Sequence, residues 1–159
     1  MAQLITANEV IAKAFVHGNI DPALIKAEFV EVSQEEHILP FLGQDMYDEI
    51  VSENNANVFT GTNETLLNSY IKPALALFVA RDIILHISVR ITNKGVVLNN
   101  GQDSVQASKE ERALLIDRYK EQGDTMLNKM ERYILDNIAD FPLYSQEISD
   151  TKFKGGIIM

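Results

Sequence analysis

Cysteine is absent from all 159 residues, which excludes disulfides, thiolate metal sites and cysteine nucleophiles. Cationic residues are scarce at the start: residues 1–53 hold only Lys13 and Lys26 against ten carboxylates, a balance of −8 within a net charge of −9. A chain that grips DNA presents Lys and Arg to displace counterions from the phosphates, and this third of the sequence offers the opposite. Long apolar runs are lacking too. The most apolar stretch, Pro73 to Ala80, meets Arg81 and Asp82 well short of the roughly 20 residues a membrane span needs. Met1-Ala2-Gln3-Leu4-Ile5-Thr6 lacks the basic and apolar regions of a signal peptide, so a soluble chain is expected. No Gly-x-Ser-x-Gly elbow, Walker loop or Gly-x-Gly-x-x-Gly turn occurs. Catalysis and cofactors are therefore not expected. Repeats of about 20–50 residues and low-complexity tracts are missing as well.

What is present is helical patterning. A hydrophobic content of 46% suffices for one core. Thr6-Ala7-Asn8-Glu9 is a capping box that starts a first helix running to about Val16. Asp21-Pro22 supplies an N-cap and a first-turn proline for a second helix, with Ser33-Gln34-Glu35-Glu36 as another box where it breaks and restarts. Pro40 should stop that run, and Phe41-Leu42-Gly43 should turn. A short helix follows over Asp45 to about Glu53, its face set by Met46, Tyr47, Ile50 and Val51.

The central helix, Glu64 to about Ile91 and capped by Thr62 or Asn63, is apolar on nearly every side and should be the most buried. Asn68, Lys72, Asp82, His86 and Arg90 form its one narrow polar stripe at 100° per residue. Pro73 predicts a kink or staggered start. A last helix opens on the Ser108–Glu111 box and runs to about Ala139, with Leu115, Tyr119, Met126, Met130, Tyr133 and Ile134 inward. Gly123 on that stripe permits close helix approach. Leu75, Phe78, Ile84, Tyr119, Met126 and Met130 are the expected core. The fold class is all-α: a four- to five-helix bundle with two long helices, a protruding loop or hairpin at about 92–108, and an extended C-terminal arm, residues 145–159, beyond a helical domain of residues 1–144.

Two segments carry apolar residues with no home in such a bundle. Val96-Val97-Leu98 precedes Asn99-Asn100-Gly101, a candidate hairpin tip before Ser104-Val105. The tail closes on Phe153, Ile157, Ile158 and Met159. Burying those four side chains yields roughly 6–12 kcal/mol, against about 7–14 kcal/mol to order seven backbones. The balance is close to zero, so strand addition to a neighbouring chain would order the arm. Val96, Val97, Leu98, Phe153, Ile157, Ile158 and Met159 are thus candidate protein-interface residues.

Polar constellations are few. Asp82, His86 and Arg90 lie one helical turn apart, the spacing of either an acid–base relay or a plain charge ladder, and the ladder is expected. Glu35-Glu36-His37 with Asp45, Asp48 and Glu49 offers oxygen and imidazole donors, but matches neither His-Glu-x-x-His nor a calcium loop, so no metal site is expected.

A broader pattern joins these pieces: Leu39-Pro40-Phe41-Leu42-Gly43 before Met46-Tyr47, the long helix bearing Pro73, Gly95-Val96-Val97, and Tyr133-Ile134-Leu135-Asp136-Asn137 leading to Phe141-Pro142-Leu143-Tyr144. Over residues 4–144 the chain resembles the small helical head–tail connector proteins of tailed bacteriophages (adaptor, head-completion or neck-ring proteins), especially those of crAss-like phages infecting Bacteroides and relatives. The resemblance implies a structural virion protein at the head–tail junction, a homo-oligomeric ring, by likeness a dodecamer, beneath the portal. Its partners would be other copies, the portal protein and further neck or tail proteins, with DNA only as cargo in the channel. It supplies no catalytic residue. The competing class is an acidic helical module acting on another protein, and a weaker third is an enzyme centred on Asp82, His86 and Arg90.

Overall fold

The computed structural model describes residues 2–15, 18–92, 95–98 and 108–144. Helix α1, Ala7–Ala14, opens on the expected capping box: the Glu9 amide donates to Thr6 Oγ1 and the Thr6 amide to Glu9 Oε2. Asp21 caps a single 3₁₀ turn, Pro22–Leu24, rather than a full helix. Ile25, buried with a non-helical backbone, separates that turn from α2, Ala27–Ser33.

The run beyond α2 neither breaks at Ser33 nor stops at Pro40. It continues through a π turn, Gln34–Ile38, into α3, Leu39–Leu42. The same device recurs where α5, Asn63–Leu66, passes through a π turn, Leu67–Ile71, into α6, Lys72–Ser88. In each case the residue just before a proline donates to the carbonyl five back, Leu39 to Gln34 and Lys72 to Leu67. Proline has no N–H, and its ring crowds the carbonyl four residues earlier. A widened turn absorbs both defects without ending the helix. What ends α3 is Gly43, at φ +86°, a conformation side-chain-bearing residues rarely adopt. It leads directly into α4, Gln44–Ala56, which closes on Asn57 in the left-handed region. Neither Thr62 nor Asn63 caps α5 through its side chain; Asn63 donates instead to Glu53 Oε2 at 2.8 Å.

Helix α6 is the axis of the molecule. Ala74, Leu75, Ala76, Phe78, Val79, Ala80 and Ile83 are all at most 1% exposed, as its nearly unbroken apolar surface requires. Helix α7, Lys109–Asp136, opens on the Ser108–Glu111 capping box and runs antiparallel to it. Tyr70 stacks on Tyr133, Phe78 meets Gly123, and Ile84 clusters with Tyr119. Helices α1 and α2 pack on other sides of α6. Of the expected core, Leu75, Phe78, Ile84, Tyr119 and Met130 are buried. Met126 is only half-buried, and Leu115 is exposed although its neighbour Ile116 packs on the Ala80, Ile84 and Tyr119 cluster.

The class is all-α, with one small exception. Helix α6 ends at Ser88, short of the expected Ile91, and Val89–Thr92 is strand β1, pairing antiparallel with β2, Gly95–Leu98. The apolar Val96-Val97-Leu98 therefore pairs backward with the end of the central segment. The expected tip at Asn99-Asn100-Gly101 and the arm from Ser145 onward lie outside the described residues.

Candidate functional site

The two polar constellations read from the sequence meet in one cluster, but not as either was drawn. The π turn brings His37 beside α6, where its ring stacks on Phe78 with centroids 4.0 Å apart. Arg81, which falls off the polar stripe by helical spacing, turns onto its neighbour Asp82 through Nε at 2.9 Å and Nη2 at 2.7 Å. The same Nη2 lies 3.1 Å from His37 Nε2. Buried Ser33 donates its hydroxyl to the other Asp82 oxygen at 2.8 Å.

These bonds fix protonation states. A guanidinium is always a donor, so His37 Nε2 accepts and the ring is neutral with its proton on Nδ1. Burial and then the Arg81 charge push the His37 pKa below its ordinary value, against opposing pulls from Asp82, Glu36 and Asp124. Serine, histidine and aspartate are the members of a hydrolase triad, yet Ser33 is bonded to the carboxylate rather than to the imidazole. No nucleophile–base pair results. Glu36, His37 and Asp82 bring donor atoms within 4.8 Å of one another, but the Arg81 guanidinium already occupies the cation's place. Asp45, Asp48 and Glu49 are elsewhere, on α4. The cluster ties α2 and the π turn to α6.

The Asp82–His86–Arg90 series is not assembled. Asp82 is committed to Ser33 and Arg81, exposed His86 stacks on Phe29 at 4.7 Å, and Arg90 belongs to β1 rather than to the helix. Lys72 of the same stripe binds Glu9 of α1 at 2.7 Å.

His37 gives a pH prediction. Its folded pKa lies below the unfolded value near 6.5, so the unfolded chain binds more protons across that interval and stability rises with pH there. The contribution is fully present above about 6.5 and is lost as pH falls toward the folded value. The denaturation midpoint should drop between pH 7.5 and 5, and His37→Gln should flatten that slope. An unchanged slope would remove His37 as its source. Glu9 acts lower: burial raises its pKa, but Lys72 and the Thr6 bonds outweigh this and leave it below 4.5, so its share is lost only as pH falls below that value.

Two surfaces stand out among the described residues. The first is the end that carries the hairpin and the start of α7, where Leu114 and Leu115 are 72% and 47% exposed. Among the described residues the sheet has two strands, so each has an outer edge with no strand beside it. Val96, Val97 and Leu98 lie on this hairpin; Phe153, Ile157, Ile158 and Met159 lie outside the described residues. The second is a groove of about 450 Å³ beside α7, lined by Leu77 and Met126 and by the polar Arg118, Glu121, Gln122, Thr125 and Lys129.

Residues 38–154, well over half of the chain, match a family of unknown function (DUF6712). The chain belongs to that family. No curated protein and no solved structure matches it. The family region takes in α3 to α7 and the hairpin, while α1 and α2 precede it. The His37 cluster straddles its start: Ser33 and His37 come before, Arg81 and Asp82 within.

Sequence reasoning missed Gln34 and Arg81. Gln34 has no exposed surface and holds the chain's start through two hydrogen bonds, to Leu4 and Ala2, with a third to Tyr47 of α4. The available signal was a polar residue four positions before an apolar Ile38-Leu39 pair in a helix with proline ahead, a place where the turn widens and an inward position shifts. For Arg81 the signal was its position between inward Phe78 and Ile84, where a long cation needs an anion close by.

Proposed function

We propose that this chain is a structural subunit of a tailed-phage head–tail junction, assembling with other copies into a ring beneath the portal and joining portal to neck or tail. Three things support the reading: the resemblance carried by residues 39–47, the Pro73 helix, 95–97 and 133–144; the all-α bundle built on two long antiparallel helices; and the hairpin and the exposed leucines at the start of α7. The last carries most weight. Leu114 and Leu115 are exposed, the described hairpin has open strand edges, and strand addition is a way to join subunits through such edges. Packaged DNA passes as cargo. The acidic balance of residues 1–53 opposes adhesion of phosphates.

Sedimentation velocity of the purified protein, alone and with the cognate portal protein, tests this. The expected result is a discrete multimer, or one formed on the portal. A monomer under both conditions sinks the ring and leaves the acidic binding module. Duplex DNA supplies a second check, with no retention expected at physiological salt; tight binding that weakens steeply as salt rises would speak for a different class. Deleting Lys152 to Met159 should leave the monomer's melting unchanged and impair assembly.

A further inference from the structure

We infer that the α7 groove receives the acidic face of α2 from a second copy of the chain, in a head-to-tail contact. The inference deepens the ring reading and rests on it. Glu28 and Val32, at i and i+4 of α2, share one helix face, Glu35 follows in the π turn, and all three are exposed. Val32 is 51% exposed, an apolar knob between two carboxylates. Neither Glu28 nor Glu35 has an ion-pair partner among the described residues.

The groove is the counterpart. At 100° per residue, Arg118, Gln122, Thr125, Lys129 and Arg132 fall within about 80° of one another along one edge of α7. Lys129 and Arg132 have no ion-pair partner among the described residues, and Arg118 has only the loose, exposed Glu121 at 3.6 Å. Between Arg118 and Lys129 lies the apolar floor of Leu77 and Met126. By helical rise, Glu28 and Glu35 are about 10 Å apart and Arg118 and Lys129 about 16 Å, a difference that two long cationic side chains span easily. Val32 then enters over Met126 while the carboxylates reach the basic rim.

A subunit cannot close this contact on itself. Asp124, whose charge acts on His37 beside α2, lies about 120° around α7 from Arg118 and about 140° from Lys129. Ser33 and His37 meet α6 at Asp82 and Phe78, about 140° and 100° around that helix from Leu77 in the groove, so the two faces lie on different sides of α6. A contact between unlike faces repeats from copy to copy, and closes into a ring when its rotation divides a full turn.

Charge reversal tests it on the full chain, with far-ultraviolet circular dichroism as a check on folding. Lys129→Glu with Arg132→Glu, or Glu28→Lys with Glu35→Lys, should weaken assembly by about tenfold or more, and all four in one chain should restore it. Because the chain has no cysteine, a chain carrying Val32→Cys and Thr125→Cys treated with a short bis-maleimide reports the contact even where a reversal variant misfolds. A covalent ladder of dimers, trimers and larger species is expected, with no ladder from either single variant. Dimers alone, or reversals that leave the multimer's mass and stability unchanged, overturn the contact while the ring reading stands. A wild-type chain that stays monomeric with and without portal overturns both.

Discussion

Phe78→Ala should lower stability by about 3–5 kcal/mol, the largest loss expected from a single truncation in this chain. The ring is 1% exposed and held on three sides. His37 stacks on it at 4.0 Å, the Arg81 guanidinium lies 5.6 Å from its centroid, and α7 closes over it at Gly123. Neither polar neighbour can collapse into the space, because both are fixed by the Asp82 network. Gly123 makes the argument reciprocal: a Cβ there would sit 2.7 Å from two Phe78 ring carbons, and the stacked His37 blocks the ring's retreat. Alanine normally gains about 1 kcal/mol over glycine within a helix, but overpacking costs about 1–3 kcal/mol. Gly123→Ala should therefore destabilise the wild type, yet stabilise a Phe78→Ala chain, where the clash is gone. Urea denaturation of the two single variants and the double variant measures this sign reversal. Additive effects would mean that ring and glycine do not share one space.

Helix starts were legible because capping is local: Thr6 with Glu9 and Ser108 with Glu111 satisfy each other within four residues. The burial of α6 was legible because its apolar surface leaves few ways to face water. The effect of Pro40 and Pro73 was not. Proline's missing donor says that an ordinary turn fails, while the choice between stopping and widening is made by tertiary packing, here of buried Ile38, Phe41 and Leu42 on one side and of Leu66, Leu67 and Ile71 on the other. The hairpin was half legible: Val96 to Leu98 read as strand, but Val89 to Thr92 continues a helical apolar pattern, and only pairing selects the extended form. At the polar cluster the residue types were visible and the partners were not. Asp82 stands one turn from His86 and beside Arg81, and nothing in the spacing reveals that Ser33 and His37, more than forty residues earlier, arrive at the same carboxylate.

Gln34→Ala should cost about 2–4 kcal/mol, from buried polar groups left without partners and from the space vacated. The amide sits in the π turn with no exposed surface. Its Oε1 accepts from the Leu4 amide at 2.6 Å, and its Nε2 lies 3.2 Å from both the Ala2 carbonyl and the Tyr47 hydroxyl. Through it the chain's first residues are clamped under α4, with Leu4 and Ile5 each 1% exposed, and Asn54 adds a bond to the Gln3 carbonyl. Loss of the amide should free Leu4 first, so its backbone amide should exchange with solvent faster even where the bundle stays folded. Gln34→Glu separates the polar term from the cavity. It keeps the shape and the acceptor for Leu4, but a carboxyl with no exposed surface must carry a proton to face the Ala2 carbonyl, so burial raises its folded pKa above the unfolded value near 4.3. The folded state then binds more protons, and the variant's stability is present at low pH and lost as pH rises through the folded pKa. This slope is opposite to the one expected from His37. A Gln34→Ala chain within about 0.5 kcal/mol of wild type, or a Gln34→Glu chain equally stable at pH 4 and pH 8, would show that the chain's start is held by Leu4 and Ile5 packing alone.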